Sequence, residues 1–239
     1  MELLHRTERA LKQKFATPFL RRLLRRPTYS VTRSQIAAPY LHGEGIEIGA
    51  HDQPLPLPAG TRARYVDVHS VEGHSIQAPD VIANFESLSG IADSSCDFVI
   101  ANHVLEHVEN PLQALVSANR VLKPDGVAFI ALPDKERSFD RPREVTPLDH
   151  LAHDFQFGPL SSRRDHYLDW AKNVERCSGE RLTARAAELE AALASIHFHV
   201  WDVAAMAAMF AHAESLTGLR VIKHERNRGE IIWILRKSA

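Results

Sequence analysis

A cluster of polar side chains follows an apolar segment near the middle of this chain. The apolar segment is Asp97–Ala101, and the cluster spans residues 102–107. Its polar members are Asn102, His103, Glu106 and His107. Histidine titrates near neutral pH, so His103 and His107 are candidates for moving a proton during a reaction. Asp134, at the end of the next apolar segment, is a candidate for orienting a base or its substrate.

The same cluster also matches a metallopeptidase pattern. His103, Glu106 and His107 fit H-x-x-E-H, in which two helical histidines bind Zn²⁺ and the glutamate acts as a base. However, Asn110-Pro111 interrupts any helix just after His107, which leaves barely one turn to hold the ligands. We therefore expect no metal here, and a zinc-dependent hydrolase is the alternative interpretation.

Three earlier apolar segments also end in polar residues. Glu47 and Gly49 close the first of them, Asp67 closes the second and Asn84 closes the third. In open α/β sheets, ligands bind beyond the carboxyl ends of the parallel strands. Asp67 follows Glu47 by 20 residues, which suits an acid that binds the two hydroxyls of a ribose. The pattern predicts a nucleoside pocket at one edge of a parallel sheet.

The elements that would carry these residues can be read from the periodicity. Residues 97–134 are typical of a strand, a helix that begins near Pro111, a break at Lys123–Gly126 and a second buried strand. This βαβ unit has a right-handed crossover in nearly all proteins. We expect an N-terminal helical extension, a core, a helical insertion that caps the acceptor site, and a C-terminal hairpin that completes the sheet. The corresponding ranges are 1–40, 41–134, 135–215 and 216–239.

Composition excludes several classes of function. The chain has 239 residues, 44% of them hydrophobic and 25% charged, with a net charge of −1. This balance gives no general attraction to nucleic acid. Two cysteines without a paired motif indicate a reducing cytoplasm. Residues 1–26 are typical of a basic amphipathic helix, for which packing is favoured over weak contact with a membrane surface or an acidic partner.

Four motifs together resemble the class I S-adenosylmethionine-dependent methyltransferases, and most closely the type 11 methyltransferase domain. They are Gly45–Gly49, Tyr65–Asp67, Asp97–His107 and Arg120–Gly126. The resemblance covers residues 40–134 well, and the final hairpin fits the same fold. It implies a Rossmann-like α/β fold with a seven-stranded sheet of order 3-2-1-4-5-7-6, in which strand 7 is antiparallel. It also implies S-adenosyl-L-methionine as the cofactor.

The resemblance further implies a role for each cofactor-binding position. Residues near the methionine part of the cofactor would be Glu47, Gly49 and Ala50. Asp67 would hold the ribose, and Asn84 and Phe85 would flank the adenine. Asn102 and His103 would close the pocket near the sulfonium. Ala50, His51 and Asp52 replace further glycines that are common in this loop.

The predicted activity is methyl transfer to a small-molecule or glycan acceptor, at oxygen. An alcohol acceptor benefits from a general base, for which His103 and His107 are the best placed. His150, His166 and His199 lie in the predicted insertion and are candidate acceptor contacts. A dehydrogenase that uses NAD(P) would need a G-x-G-x-x-G turn, but no glycine follows Gly49 before Gly60. A non-catalytic protein with the same fold is a further alternative.

Overall fold

The computed structural model describes residues 29–50, 53–68 and 78–239 of the chain. The predicted basic helix over residues 1–26 lies outside the described residues, as do His51 and Asp52. Within the described part, no helix is both long and apolar enough to cross a membrane.

One seven-stranded sheet forms the centre of the fold, and its strand order is β3-β2-β1-β4-β5-β7-β6. The strands are β1 (Glu44–Ile48), β2 (Arg62–Asp67), β3 (Val81–Ile82), β4 (Cys96–Asn102), β5 (Leu122–Pro133), β6 (Leu219–Asn227) and β7 (Glu230–Lys237). β1 to β5 are parallel, whereas β7 pairs antiparallel with both β5 and β6. The predicted fold class is confirmed.

Six α-helices accompany the sheet in the described residues. They are α1 (Tyr29–Ala37), α2 (Pro111–Val121), α3 (Leu148–Phe157), α4 (Arg163–Asn173), α5 (Gly179–Ala191) and α6 (Val203–Thr217). Local sequence explains where two of them begin. The Asn110 side chain accepts a hydrogen bond from the Gln113 N–H at 3.1 Å, and Pro111 is the first helical residue. The Asp202 side chain caps α6 by accepting from the Ala205 N–H at 2.8 Å.

The sheet is buried on both faces, as its continuous apolar strands predict. In β4, Val99 and Ala101 join the apolar cluster that includes α2 and α6. Phe98 and Ile100 belong to the opposite cluster, which includes α1. Side chains alternate between the faces of a strand, so this one segment contributes to both cores.

Two strands differ from the sequence prediction. β3 contains only Val81 and Ile82, so it ends two residues before Asn84, which was predicted to close it. Conversely, β5 begins at Leu122 and includes the predicted break at Lys123–Gly126. The break appears as an irregularity, because the pairing register with β4 shifts there and Asp125 adopts a φ of +63°.

Helices α3, α4 and α5 lie between β5 and β6 in the chain and form a cap. α4 and α5 pack around an apolar cluster of their own, whose buried members are Tyr167, Ala171, Cys177, Ala186, Leu189, Ile196 and Phe198. The segment 196–201 joins this cap to the sheet, because the Phe198 N–H donates to the Glu106 carbonyl at 2.8 Å. The cap is thereby fixed next to the end of β4.

Gly45 is the residue at which β1 approaches β4 most tightly. A Cβ atom there would lie 2.3 Å from the Phe98 carbonyl oxygen. We expect Gly45→Ala to lower the free energy of unfolding by about 3 kcal/mol, measured by urea denaturation. Gly60→Ala is the control, because its Cβ would meet no atom within 4 Å and only its φ of +79° is strained. That strain costs about 1 kcal/mol, and equal losses in the two variants would contradict the prediction.

Candidate active site

Two neighbouring cavities open at the carboxyl edge of the sheet. The larger, of about 500 Å³, is lined by the ends of β1 to β4 and by residues of the cap. Five predicted cofactor residues line it, namely Gly49, Asp67, Asn84, Phe85 and His103. The smaller, of about 230 Å³, is lined by the other three, Glu47, Ala50 and Asn102. Gly49 and His103 border both cavities, so the edge can accommodate one elongated ligand.

The turn after β1 has the shape that a close ligand approach requires. Gly49 has a φ of +64°, and a Cβ atom there would lie 2.9 Å from Val104 Cγ2. Next to it, both oxygens of the buried Glu47 carboxylate lie 3.0 Å from the Leu55 N–H. Burial raises the pKa of Glu47 to about 7. Among the described residues, the buried Asn102 Oδ1 atom has no hydrogen-bond partner, and a buried acceptor of this kind suits a ligand donor.

The ends of β2 and β3 present hydrogen-bonding groups and one aromatic ring. Asp67 Oδ1 accepts from the Val68 N–H at 2.7 Å, which fixes the carboxylate at the end of β2. Asn84 Oδ1 accepts from the Glu86 N–H at 2.7 Å and forms a tight turn. Phe85 follows within this turn and is buried. The predicted ribose and adenine residues therefore border one cavity.

His103 is held between two buried carboxylates. Its Nε2 atom lies 2.6 Å from Glu230 Oε2, and its Nδ1 atom lies 3.2 Å from Glu106 Oε1. Burial lowers the pKa of His103, but the two carboxylates outweigh that effect and raise it to about 9. A histidine that is protonated at neutral pH cannot accept a proton. The predicted role of His103 as general base is therefore disfavoured, although it remains at the cofactor edge.

His107 has the opposite electrostatic environment. Burial lowers its pKa, and the neighbouring His197 adds to the effect. Its ring packs edge-on against His197 with 4.6 Å between the centroids. Its Nδ1 atom lies 3.3 Å from Ser195 Oγ, and both residues line the larger cavity. Of the two histidines predicted from sequence, His107 has the neutral form that a base requires.

Asp134 has a structural position instead of the predicted orienting role. It lines neither cavity. Its Oδ1 atom accepts from the Glu136 N–H at 3.1 Å and caps a short 3₁₀ turn, Lys135–Arg137. Its Oδ2 atom lies 2.5 Å from Arg226 Nη1. Both oxygens are thus occupied in joining β5 to the final hairpin.

The H-x-x-E-H segment does not form a helical metal site. Only Leu105–His107 makes a helical turn, of the 3₁₀ type, and His103 precedes it with a φ of +54°. The Glu230 and Glu106 carboxylates face the two ring nitrogens of His103. The structure therefore disfavours the zinc hydrolase interpretation of this segment.

The three predicted acceptor histidines lie together, away from the larger cavity. His150 and His166 border a separate cavity beside the cap, and neither lines the cofactor edge. Their Nε2 atoms are 3.1 Å apart. The ring of His199 lies 4.9 Å from that of His166, measured between the centroids. Burial, together with His150, lowers the pKa of His166 to about 4.

Several residues of the site were not predicted from the sequence. Glu230 begins β7 and is fully buried, and Arg33 of α1 pairs with it through two nitrogens. The only sequence signal for Glu230 is its position directly after the hairpin glycine. That position does not reveal that Arg33 and His103 are its partners. The cap contributes further cavity-lining residues, namely Arg163, Tyr167, Leu193, Ala194, Ser195 and Phe198.

Comparisons with known proteins agree with this geometry. The family described as "Methyltransferase domain" matches residues 61–130. A structure from Thermotoga maritima, described as a SAM-dependent methyltransferase and "possible histamine N-methyltransferase", is 16% identical with a TM-score of 0.52. The alignment covers 87% of this chain and 89% of that one. No curated protein matches this sequence.

Two further structures share the fold. The 1,6-didemethyltoxoflavin-N1-methyltransferase of Burkholderia thailandensis, solved with its substrate and S-adenosylhomocysteine, has 14% identity and a TM-score of 0.52. The alignment covers 89% of this chain and 79% of that one. A Rhodobacter sphaeroides structure, provisionally named as a zinc-dependent alcohol dehydrogenase, has 12% identity and a TM-score of 0.54, with coverages of 90% and 92%. At these identities the likeness concerns the fold alone.

The strand order and the matched segment define a class I methyltransferase fold. The resemblance to the S-adenosylmethionine-dependent methyltransferases, with a type 11-like domain, is confirmed. The predicted cofactor, S-adenosyl-L-methionine, is confirmed with it.

The paired state of His103 gives a testable pH dependence. Its pKa is about 9 in the folded chain and about 6.5 in an unfolded one. Protonated His103 therefore stabilises the folded state fully below pH 6.5, and this contribution is lost as the pH rises through 9. The side chain is 36% exposed, so we expect only about 1 kcal/mol after solvent screening.

The measurement compares the free energy of unfolding of the wild type and His103→Gln between pH 6 and pH 10. The difference in the free energy of unfolding between the wild type and His103→Gln should decrease by about 1 kcal/mol from pH 6 to pH 10. His212→Gln on α6 serves as the control and should show a constant difference. A constant difference for His103→Gln as well would refute the paired state.

Proposed function

We propose that this chain transfers the methyl group of S-adenosylmethionine to an oxygen of a small-molecule or glycan acceptor, with His107 as the general base. The observation that carries the proposal is a neutral, cavity-lining His107 next to the edge formed by Gly49, Asp67 and Asn84. Bound there, the cofactor supplies a sulfonium-activated methyl group. The protein then has to align the acceptor, exclude water and remove one proton.

The residues at the sheet edge fit the parts of this cofactor. Asp67 would accept from the ribose hydroxyls, and Asn84 and Phe85 would flank the adenine. Glu47 would face the methionine ammonium, whose positive charge favours the ionised form of this carboxylate. Gly49 packs closely against Val104 in the turn beside the cofactor, and Asn102 Oδ1 is an acceptor without a partner among the described residues.

In the proposed reaction the cavity residues would hold an acceptor hydroxyl in line with the sulfonium-bound methyl group that the cofactor supplies, and S-adenosylhomocysteine would be the leaving product. The hydroxyl proton passes to a ring nitrogen of His107. His103 contributes a fixed positive charge at the cofactor edge and does not act as the base. Asp134 has no part in this mechanism, since both its oxygens are occupied elsewhere.

The walls of the larger cavity favour a compact acceptor. Tyr167 and Phe198 line this cavity with aromatic atoms, although both side chains are almost fully buried in the apolar cluster of the cap. Arg163, the basic side chain of the cap in this wall, is paired with the Glu109 carboxylate at 2.6 and 2.7 Å. A site for a nucleic acid would instead present unpaired basic groups to phosphates.

The ribose role of Asp67 can be tested by calorimetric titration with S-adenosylhomocysteine. We expect Asp67→Ala to weaken binding by about 10- to 100-fold, because a carboxylate hydrogen bond is worth about 1.5–3 kcal/mol. Asp93→Ala removes an exposed acid that pairs with Arg120 on the surface and should bind normally. Unchanged binding by Asp67→Ala would show that the cofactor is held differently.

The role of His107 predicts a loss of rate without a loss of cofactor. His107→Gln should slow methyl transfer from labelled S-adenosylmethionine by about 10²- to 10⁴-fold, with S-adenosylhomocysteine affinity within about threefold of wild type. His212→Gln is again the control. The assay uses glycan and polar small-molecule fractions of a cell extract as acceptors. If the wild type binds cofactor and transfers no methyl group, the non-catalytic alternative is supported.

A further inference from the structure

The cap contains a group of side chains that the proposed methyl transfer does not use. His150 and Asp154 lie one turn apart on α3, His166 lies on α4, and His199 lies in the segment 196–201. His199 is 1% exposed, Asp154 is fully buried and His166 is 8% exposed. One potential ligand nitrogen from each histidine falls within 4.8 Å of the others. Three separate elements of the cap thus converge on one point.

From this arrangement we propose that His150, Asp154, His166 and His199 bind a divalent transition-metal ion of the Zn²⁺ type, which fixes the cap in place. The spacing supports a tetrahedral site. Zinc bonds of 2.0–2.1 Å place neighbouring ligand atoms about 3.3 Å apart. His150 Nε2 lies 3.1 Å from His166 Nε2 and 3.2 Å from Asp154 Oδ2.

The hydrogen bonding of His199 leaves a lone pair for a metal. Its Nε2 atom lies 3.0 Å from the Glu109 carbonyl oxygen, which can only accept a hydrogen bond. Nε2 therefore carries the proton, and Nδ1 carries a lone pair in the neutral ring. Nδ1 is buried and has no hydrogen-bond partner in the part of the chain that the structure describes. Burying an unsatisfied polar atom costs about 1–3 kcal/mol, which coordination to a cation would offset.

The surroundings also resemble the outer shell of a metal site. The His199–Glu109 bond fixes the ring orientation, as carbonyl partners do for zinc-bound histidines. The Asp154 carboxylate accepts from Ser162 Oγ at 2.8 Å. A cavity of about 480 Å³ borders His150 and His166 and gives an ion access from solvent.

A second group in the described chain has the spacing of a metal site, but its surroundings are less favourable for a cation. Glu106, His107 and His197 also fall within 4.8 Å of one another. However, His103 lies 3.2 Å from the Glu106 carboxylate, and its positive charge opposes a cation there. Asp140 already accepts from the His197 Nδ1 atom at 2.7 Å. The experiment must nevertheless distinguish the two groups.

The test is metal content of the full chain, expressed with added zinc, purified without chelators and measured by plasma mass spectrometry. We expect about one zinc per chain in the wild type. His166→Gln and His199→Gln should weaken zinc binding by at least about 100-fold, beyond the 10- to 100-fold cost of losing an outer-shell partner. His212→Gln changes a histidine of α6 that belongs to neither histidine group, and it should retain zinc.

A second measurement, made on the wild type, tests the proposal even if the variants fail to fold. X-ray absorption of the zinc-loaded wild type should show three imidazoles and one oxygen at about 2.0–2.1 Å. A wild type without zinc would overturn the proposal and leave a hydrogen-bonded histidine cluster. Zinc that persists in His166→Gln and His199→Gln but is lost from His107→Gln or His197→Gln would also overturn it. None of these readouts depends on methyl transfer, so the proposal can fail independently of the proposed function.

Discussion

The buried carboxylate of Glu230 is the interaction on which the site's geometry depends. A charge removed from water is tolerated only when it is paired and hydrogen-bonded. Arg33, His103 and Asn227 all contact this carboxylate. It thereby joins the first described helix, the end of β4 and the final hairpin. Replacing a partner would leave an unpaired charge at the centre of the fold, so these three elements are coupled.

The surrounding charges also determine what the neighbouring histidines can do. His103 pairs with Glu230 and Glu106 and is held as a cation. Four residues further on, burial and the neighbouring His197 lower the pKa of His107 although Glu106 lies near, and this histidine is held neutral. His103 and His107 lie in one short segment, yet they differ in protonation state because the charges around them differ. The same separation of pKa values distinguishes acid from base in many active sites.

The short segment 105–109 connects the sheet edge at the end of β4 to the cap. The Glu106 carbonyl accepts from the Phe198 N–H, and the Glu109 carbonyl accepts from His199 Nε2. The Glu109 side chain also pairs with Arg163 of α4. The backbone that follows β4 therefore holds both the cofactor edge and the cap. A cation at the proposed histidine site would strengthen the connection between these parts.

The sequence by itself determined most strands of this protein and the polar residues at their ends. Apolar strands that end in Glu47, Asp67 and Asn84 are local patterns, and the parallel arrangement brings their ends together whatever the details of packing. The Asn110-Pro111 start of α2 is equally local. These local patterns predicted the edge residues without knowledge of tertiary contacts, whereas the strand order was implied by the resemblance to the S-adenosylmethionine-dependent methyltransferases.

Tertiary structure alone decided what the side chains at the site do. Glu106 lies three residues from His103, but Glu230 lies 127 residues away, and no local pattern shows that the two carboxylates together make His103 a cation. Asp134 ends its strand as predicted, but its distant partner Arg226 draws it away from the cavity. His150, His166 and His199 share no sequence spacing and meet only because the cap folds. Protonation state and ligand geometry depend on neighbours in space, which the sequence specifies only through the completed fold.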